Sequence, residues 1–387
     1  ILAILIILTS LRIFALFISP LELSVDEAQY WDWSNNLAFG YFSKPPLIAW
    51  IISLSSTSMG NEEWGVRLFS PIIHFIIALI LWKCSSLLFG ARSGSLAALI
   101  WITLPVSSLG SFIISTDTPL LLFWSICLLA LIKTIKENNP IWLVILGISL
   151  GLGFLTKYAM LYFVLIMIIF SIINYKNKDI KYYKIVFVLL LFLVISSPNI
   201  YWNYLHDLST LKHTVHNANI TGLNFNMTQA GIFIISQFLV FGPFLFLVFI
   251  INIWKYFFEK IELTLLAFFS ITILLIIIIQ AFLKTSNANW AVTAYPAACI
   301  LISSLMLSRK HNFAKVFINI GVVVNLILSA LILKISLSGN LYPIQLDSDP
   351  LRKLKGFKNQ AQLIEEVIKM ENPTAILYNS RSDITQF

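Results

Sequence analysis

Long apolar runs recur along this 387-residue chain, and many reach the length of about 20 residues that a helix needs to cross a bilayer core. The chain is 58% hydrophobic and 11% charged, whereas a soluble domain has about 25% charged residues. The sequence therefore excludes a soluble domain and predicts an all-α polytopic membrane protein with about eleven spans. The predicted spans lie near 1–19, 66–88, 95–111, 118–135, 183–199, 229–253, 263–283, 290–307 and 314–333, with two short spans within 141–174.

The run from 141 to 174 is too long for one helix, and polar residues divide it at Thr156-Lys157-Tyr158. Unwound backbone at membrane depth is tolerated where it is buried in protein or lines a cavity. The break therefore predicts that Lys157 and Tyr158 face such a cavity. Arg12, within the first span, either snorkels to the membrane surface or faces a polar cavity.

Lysine and arginine are distributed unequally between alternate loops, and such residues concentrate in cytoplasmic loops. One set of loops holds Lys83, Arg92, Lys133, Lys136, Lys176, Lys178, Lys181, Lys184, Lys255, Lys260, Arg309, Lys310 and Lys315. The opposite set holds only Lys44, Arg67, Lys157, Lys212 and Lys284. The first set is predicted to be cytoplasmic. The net charge of +8 is thus a topology signal rather than a nucleic-acid-binding surface.

The segment 20–67 is polar and aromatic, lies between two apolar runs and is predicted to face outward. Its parts 26–38 and 45–58 have helical spacing and many aromatic residues, which predicts helices that lie along the membrane interface. Asp26 and Glu27 precede three aromatic residues that would restrict water around them. A carboxylate placed there suits a general base, although a solvated loop carboxylate is the simpler interpretation.

Lys44 lies in Tyr41-Phe42-Ser43-Lys44-Pro45-Pro46, and the two prolines hold it in extended backbone. A lysine fixed in this way suits a phosphate group, although contact with anionic lipid headgroups explains it equally well. Arg67 begins the second predicted span. Asp117 begins the fourth, next to Pro119, where it could serve only as a helix cap.

The outward segment 200–228 contains His206 and Asp207, and further outward polar and aromatic residues follow at Asn289, Trp290 and Tyr295. No spacing of histidine and carboxylate resembles a dedicated zinc site, so no metal ligand is assigned. Two interpretations of this segment stay open, a divalent-cation site and an ordinary polar loop. The three cysteines lie inside apolar runs, which predicts that they are inert core residues.

The tail 334–387 differs in character from the transmembrane part, 1–333. Residues 358–370 have the apolar spacing of an amphipathic helix, and 374–378 is typical of a strand. Since one helix and one strand cannot bury a core, the tail is expected to be an incomplete periplasmic α/β domain. The chain also starts inside an apolar run, at Ile1, which suggests a longer natural N terminus.

Several of these segments resemble the bacterial GT-C glycosyltransferases, in the branch that groups protein mannosyltransferases with the aminoarabinose transferases of lipid A. The similarity extends in order over nearly the whole chain. The matching pieces are Asp26-Glu27-Ala28-Gln29-Tyr30-Trp31, Tyr41–Pro46, Gly65-Val66-Arg67, Thr116-Asp117-Thr118-Pro119, Gly153–Tyr158, Ser197-Pro198-Asn199, Trp202–Asp207, Asn289-Trp290 and Tyr295-Pro296.

The resemblance implies transfer of a sugar from a polyprenyl-phosphate donor, such as an undecaprenyl-phosphate sugar, to lipid A, another glycan or a protein. The reaction would occur on the periplasmic face of the inner membrane. By position, Asp26 with Glu27 would be catalytic, and Lys44, Arg67 and Lys157 would bind the donor phosphate. The cavity would be lined by Tyr41, Asp117, Tyr158, His206, Asp207, Asn289, Trp290 and Tyr295.

One position departs from the resemblance, because the aminoarabinose transferases have glutamate where this chain has Ser43. A metal at that point and aminoarabinose as the sugar are therefore not implied. The main alternative function is a transporter or flippase of lipid-linked sugars. That function predicts broken helices in two related halves, whereas the sequence shows only one broken run.

Overall fold

The structure is a computed structural model that describes residues 1–137, 139–174, 182–218, 225–258, 260–284, 286–306, 312–342, 349 and 351–371. Every regular element in these ranges is a helix. The α-helices are α1 (Leu2–Ile18), α2 (Val25–Ser34), α3 (Leu47–Met59), α4 (Glu63–Arg67), α5 (Phe69–Phe89), α6 (Ala91–Thr103), α7 (Pro105–Gly110), α8 (Asp117–Glu137), α9 (Ile141–Phe154), α10 (Met160–Ile173), α11 (Tyr182–Leu205), α12 (Ser209–Ala218), α13 (Met227–Phe241), α14 (Pro243–Asn252), α15 (Ile261–Leu283), α16 (Tyr295–Leu305), α17 (Asn312–Ser338) and α18 (Phe357–Glu371). Short 3-10 helices cover Ile253–Phe258, Ala288–Ala294 and Arg352–Leu354.

The described residues form a multi-pass helical membrane protein. Six helical segments are long and apolar enough to cross a bilayer, and a bent pair, Met227–Phe241 with Pro243–Phe257, could make a seventh. The apolar helices α1, α3, α9 and α10 are shorter than this standard. Length and composition alone therefore give fewer spans than the predicted eleven.

Two of the predicted spans are broken. The span predicted at 95–111 divides at Leu104-Pro105 into α6 and α7, because proline removes a backbone donor. The span predicted at 229–253 bends by 112° between α13 and α14. Gly242 at the bend has φ +92°, a conformation that glycine adopts readily, and Pro243 starts the next helix.

Other predicted features agree more closely with the structure. Both helices predicted in the segment 20–67 are present as α2 and α3. The run 141–174 is broken between α9 and α10, with Lys157 in the gap. The segment 200–228 is more helical than a loop, since α11 extends to Leu205 and α12 follows.

The main core lies between the long helices, and its largest fully buried side chains include Trp101, Trp124 and Phe163. Close approach of α9 to α11 explains two of the glycines in α9. A Cβ on Gly147 would lie 2.6 Å from Leu191 Cβ, and Gly151 faces Ile195 equally closely. Small residues at such crossings allow helices to pack tightly in a membrane.

Arg12 is buried, so of the two predicted alternatives the structure supports the polar interior rather than snorkelling. Its guanidinium donates to the Ile102 carbonyl at 2.6 Å and to the hydroxyls of Ser108, Ser111 and Ser329 at 2.8–3.2 Å. These oxygen atoms belong to α6, the α7 terminus and α17. Arg12 therefore ties α1 to three other parts of the bundle.

The tail packs against the start of the segment 20–67. The Glu22 backbone N–H donates to the Leu354 carbonyl at 2.9 Å, and the Glu22 carboxylate accepts from the Phe357 N–H at 2.6 Å. The latter contact caps α18, which lies where the amphipathic helix was predicted. The predicted strand at 374–378 lies outside the described residues, so the predicted α/β domain stays a prediction.

Candidate active site

Helix α2 places two neighbouring carboxylates in different surroundings. Ser24 and Glu27 form a capping box, in which Ser24 N–H donates to Glu27 Oε2 at 2.9 Å. Successive residues of an α-helix point about 100° apart. Asp26 is accordingly exposed, while Glu27 is completely buried.

Glu27 is held by a buried ion pair with Arg67. The guanidinium donates to both carboxylate oxygens at 2.8 Å, and the Ile114 N–H donates to Oε1 at 2.9 Å. Burial disfavours the charged form of Glu27. The Arg67 charge and the hydrogen bonds from Arg67, Ser24 and Ile114 outweigh it, and they lower the pKa of Glu27 below its ordinary value.

The other donors of Arg67 are also engaged. Nη1 donates to the Leu21 carbonyl at 2.9 Å and Nη2 to the Glu22 carbonyl at 2.7 Å. The side chain is 3% exposed. Arg67 therefore fixes the chain that leads into α2, and with it the position of Asp26.

The loop 38–44, which joins α2 to α3 and contains Lys44, is held by residues of α11 and α12. Asn199 donates to the Phe39 carbonyl at 2.7 Å and Thr210 donates to the Tyr41 carbonyl at 2.6 Å. The Phe42 ring lies edge-on to His213 at 5.2 Å. These contacts fix the loop at Phe39, Tyr41 and Phe42.

The contacts of Gly40 and Tyr41 explain why these residue types occur in the loop. A Cβ on Gly40 would overlap the Trp202 ring, so only glycine allows this approach. Tyr41 stacks on Trp33 at 4.7 Å, and its hydroxyl bonds with the backbone of the preceding turn. Burial raises the pKa of Tyr41. Tyr41 thus shapes the loop, and its hydroxyl is occupied within it.

Lys44 is half-buried at the end of the loop, immediately before Pro45 and Pro46. At the start of α3 the Leu47 N–H donates to the Leu155 carbonyl at 2.9 Å. Leu155 lies in the break between α9 and α10, two residues before Lys157. The structure therefore brings the chain at Lys44 and the chain at Lys157 to the same junction.

Asp117 joins two elements that are far apart in the sequence. Its Oδ1 accepts from Lys157 Nζ at 2.7 Å and its Oδ2 accepts from Asn289 Nδ2 at 2.6 Å. The Lys157 and Asp117 side chains are 25% and 15% exposed, so both remain accessible to a ligand. Three of the predicted cavity and phosphate-site residues are thus assembled into one polar group.

Tyr158 lies beside this group in a network with α11. Its hydroxyl donates to Asn199 Oδ1 at 3.0 Å and accepts from Asn203 Nδ2 at 3.1 Å. Sequence analysis assigned no role to Asn199, Asn203 or Thr210. The sequence did contain a signal for the first two, because Asn199 and Asn203 are amides that follow Pro198 in an otherwise apolar helix.

The remaining predicted site residues are placed differently from one another. His206 and Asp207 are exposed at the end of α11, where the His206 ring stacks on Trp202 at 4.0 Å. Trp290 is half-buried against the main core. Tyr295 is fully buried, and its hydroxyl donates to Gln237 Oε1. A bound substrate could not reach Tyr295 without displacing the surrounding helices.

The described residues contain no group of three or more histidine, cysteine or acidic side chains that could hold a metal ion. The carboxylates near the site have protein partners instead: Glu27 has Arg67, and Asp117 has Lys157. The described residues therefore provide no set of ligands for the divalent cation that the sequence left open.

Comparison with known proteins decides the family. Residues 43–202 match the model of the dolichyl-phosphate-mannose-protein mannosyltransferases. A lipid A galacturonosyltransferase of Rhizobium johnstonii is 32% identical over 323 residues, which is 82% of this chain and 67% of that protein. The chain belongs to the GT-C integral-membrane glycosyltransferases. The matched segment contains Lys44, Arg67, Asp117, Lys157 and Tyr158.

Other glycosyltransferases of this type support the assignment. An undecaprenyl phosphate-aminoarabinose arabinosyl transferase of Yersinia enterocolitica is 31% identical over 146 residues, 35% of this chain and 26% of that enzyme. ArnT from Cupriavidus metallidurans, solved with undecaprenyl phosphate, has the same fold, with TM-score 0.69 and 14% identity over 98% of this chain and 73% of its own. An Archaeoglobus fulgidus oligosaccharyltransferase gives 0.57 at 14% identity, with 97% of this chain and 58% of its own covered.

Proposed function

We propose that this GT-C glycosyltransferase moves a sugar from a polyprenyl-phosphate donor to lipid A on the periplasmic face of the inner membrane. The observation that supports this most directly is the polar group formed by Asp117, Lys157 and Asn289. The Leu47 N–H, three residues after Lys44, donates to the Leu155 carbonyl, two residues before Lys157. α1, α9, α10 and the α6–α7 pair would cross the membrane with the longer helices, to give about eleven spans.

Asp26 is the proposed general base. The acceptor hydroxyl oxygen attacks the anomeric carbon of the sugar as the bond from that carbon to the phosphate oxygen breaks. The hydroxyl proton passes to the Asp26 carboxylate, and the phosphate leaves on the lipid with the bonding electrons. Asp26 is exposed on a helix that Arg67 and the capping box hold in place, which suits this role.

Lys44 and Lys157 are the proposed ligands of the donor phosphate. The leaving group is already an anion, so the protein has to orient it and stabilise the charge that develops on it. Glu27 and Arg67 are instead proposed as positioning residues, because their polar atoms are engaged with each other and with the backbone.

Ser43 favours an anionic sugar over a cationic one. The glutamate of the aminoarabinose transferases would attract the amino group of their sugar, whereas Ser43 places no negative charge beside Lys44. Among the sequence matches described, that to the lipid A galacturonosyltransferase is the longest, at 323 residues, and its sugar is a hexuronic acid. We therefore propose a hexuronosyl donor as the first to test.

The test is transfer of labelled sugar to lipid A in membranes that contain the full chain, compared among wild type, Asp26→Asn and Asp32→Asn. Both aspartates are exposed on α2, so the second variant makes the same chemical change on the same helix. Loss of a general base should reduce the transfer rate by about 10²–10⁴-fold in Asp26→Asn. Asp32→Asn should transfer at the wild-type rate.

The donor pool separates the remaining possibilities. Asp26→Asn membranes should accumulate unused donor on the periplasmic face at normal expression. Undiminished transfer by this variant would disprove the role of Asp26. Failure of the donor to reach that face in cells lacking the protein would favour the transporter function. Whether lipid A becomes labelled with galacturonate or with aminoarabinose identifies the sugar.

A further inference from the structure

Helix α13 carries a buried amide, Gln237, in its apolar part. The side chain is 1% exposed and lies four residues before the end of the helix. Its Nε2 donates to the Phe233 carbonyl at 3.1 Å and to the Ala288 carbonyl at 3.2 Å. Because both neighbours are acceptors, the NH₂ group of the amide has to face them, and the amide oxygen points elsewhere.

Tyr295 fixes that oxygen. The Tyr295 hydroxyl donates to Gln237 Oε1, and the tyrosine side chain is 0% exposed. The Tyr295 ring also packs on Phe241, with 4.5 Å between the ring centroids. Since a buried tyrosine hydroxyl needs a hydrogen-bond partner, this contact holds the amide in one orientation.

The contact with Ala288 connects Gln237 to the candidate active site. Ala288 precedes Asn289, whose Nδ2 donates to Asp117 Oδ2 at 2.6 Å. The other oxygen of this carboxylate accepts from Lys157 at 2.7 Å. The Asn289 side chain is exposed, so its direction depends on the backbone that Gln237 holds.

The direction of Asn289 affects how much of the Lys157 ammonium group is free. A lysine has three N–H donors, and Asp117 takes up one of them through a single oxygen, while Asn289 occupies the second oxygen. Without Asn289, both carboxylate oxygens could turn to Lys157. The stronger attraction would leave less of the ammonium group for a phosphate.

We propose that Gln237 and Tyr295 are positioning residues that hold Asn289 on Asp117. Gln237 acts through the Ala288 carbonyl, and Tyr295 acts through Gln237. The inference rests on the proposed phosphate site at Lys157. It extends the support of that site to the helix that ends at the 112° bend.

The first measurement is amide hydrogen exchange in the full chain, which requires no ligand. Gln237→Met keeps the length of the side chain but removes its N–H donors, so the segment 287–290 loses its hydrogen bond to α13. Exchange should accelerate in this segment, where the Trp290 N–H donates to the Asn287 carbonyl at 3.0 Å.

The matched control is Asn325→Ala. Asn325 is also a fully buried amide, and it donates to α13 at the Phe241 carbonyl, at 3.3 Å, rather than to the segment 287–290. This variant should leave the exchange at 287–290 and the affinity for undecaprenyl phosphate as they are in wild type.

The second measurement is the affinity of the purified full chain for undecaprenyl phosphate, in wild type, Gln237→Met, Asn289→Ala and the double variant. Asn289→Ala should weaken binding about tenfold, on the scale of one hydrogen bond to a charged group. Gln237→Met should weaken it by about three- to tenfold. The double variant should bind as Asn289→Ala alone does, because Gln237 acts through Asn289. Tyr295→Phe, a milder second variant, should give a smaller loss that also disappears in the Asn289→Ala background.

Two outcomes would overturn the inference. One is unchanged exchange at 287–290 in both Gln237→Met and Tyr295→Phe. The other is an additive loss of affinity in the double variant, which is expected if Gln237 only stabilises the bundle. Failure of wild type to bind undecaprenyl phosphate would instead overturn the proposed function, and the exchange result would still decide whether Gln237 holds the segment 287–290.

Discussion

Asp26 and Glu27 are adjacent carboxylates, yet only one of them can contact a substrate. The capping box sets the start of α2, and the turn of the helix then directs Glu27 inward to Arg67 and Asp26 outward. Composition and spacing could not separate the two residues, because both are acidic and both lie in the first turn. The difference depends on Arg67, which is 40 residues away in the sequence.

Glu27→Gln should destabilise the protein at neutral pH by about 3–5 kcal/mol, because it leaves the buried charge of Arg67 unpaired. The pKa of Glu27 in the folded chain is lower than that of a free glutamate, about 4.3. The ion pair therefore stabilises the fold above this pH, and the stabilisation is lost as the pH falls through the folded-state value. Unfolding of the detergent-solubilised protein at pH 7 and at stepwise lower pH measures both effects.

The matched control is Glu365→Gln, which breaks an exposed pair with Lys369 on α18. Exposed pairs contribute little, so this variant should unfold as wild type does at every pH. Equal stability of Glu27→Gln and wild type at pH 7 would contradict the structural role of the Glu27–Arg67 pair.

At the scale of elements, the loop 38–44 has no regular structure of its own and takes its shape from α11 and α12. Asn199, Trp202 and Thr210 each contact a different residue of the loop. The position of Lys44 therefore depends on helices that lie more than 150 residues further along the chain.

Gly40→Ala should displace the loop, because the added Cβ would overlap the Trp202 ring. Overpacking of this kind costs about 1–3 kcal/mol. The unfolding temperature should fall, and amide hydrogen exchange should accelerate at residues 38–44. Sugar transfer should fall with the displacement of Lys44.

Gly231→Ala is the control for this substitution. Gly231 lies inside α13, and nothing lies within 4 Å of the position of its Cβ. Alanine is favoured over glycine in a helix by about 1 kcal/mol, so this variant should be as stable as wild type or more so. Unchanged exchange in the loop of Gly40→Ala would show that Trp202 does not constrain it.

Sequence periodicity predicted the elements well where hydropathy changes along the chain. The break at Lys157 and the helices α2 and α3 could be predicted because polar or aromatic residues interrupt apolar runs. The bend at Gly242 was not predicted, because the residues on both sides are equally apolar. The Gly242-Pro243 pair was the available sequence signal, and Asn325 of α17 packs against the glycine. Tyr295 was predicted to line the cavity, and only its contact with Gln237 reveals a core position.

At the scale of the whole molecule, two groups of polar contacts form at opposite ends of the bundle. One includes the contact of Glu27 in α2 with Ile114 and the contacts of Asp117 with Lys157 and Asn289. The other joins Ser85, Ser93 and Ser303 through hydroxyl contacts of 2.9 Å. This arrangement agrees with the loop assignment made from the lysine and arginine distribution, although the side that faces the periplasm is still a prediction.

Single cysteines at the two ends should test the orientation. Asn36→Cys should react with a membrane-impermeant maleimide added from the periplasmic side, whereas Lys83→Cys should react only after the membrane is opened. Both positions are exposed. The three native cysteines are 0% exposed, so wild type provides an unlabelled background. The reverse pattern of labelling would invert the topology.

Under the proposed function, the ion pair between Asp117 and Lys157 has a consequence for turnover. Transfer converts a lipid phosphodiester into a phosphate monoester, which is more negative and has a charge of about −1.5 to −2 at pH 7. A lysine without a carboxylate partner would bind this product more tightly than the donor. The enzyme would then slow as spent carrier lipid accumulated. Because Lys157 already has a carboxylate at 2.7 Å, every phosphate has to compete for it. At the proposed phosphate site, competition from the Asp117 carboxylate would therefore help the spent carrier lipid to leave.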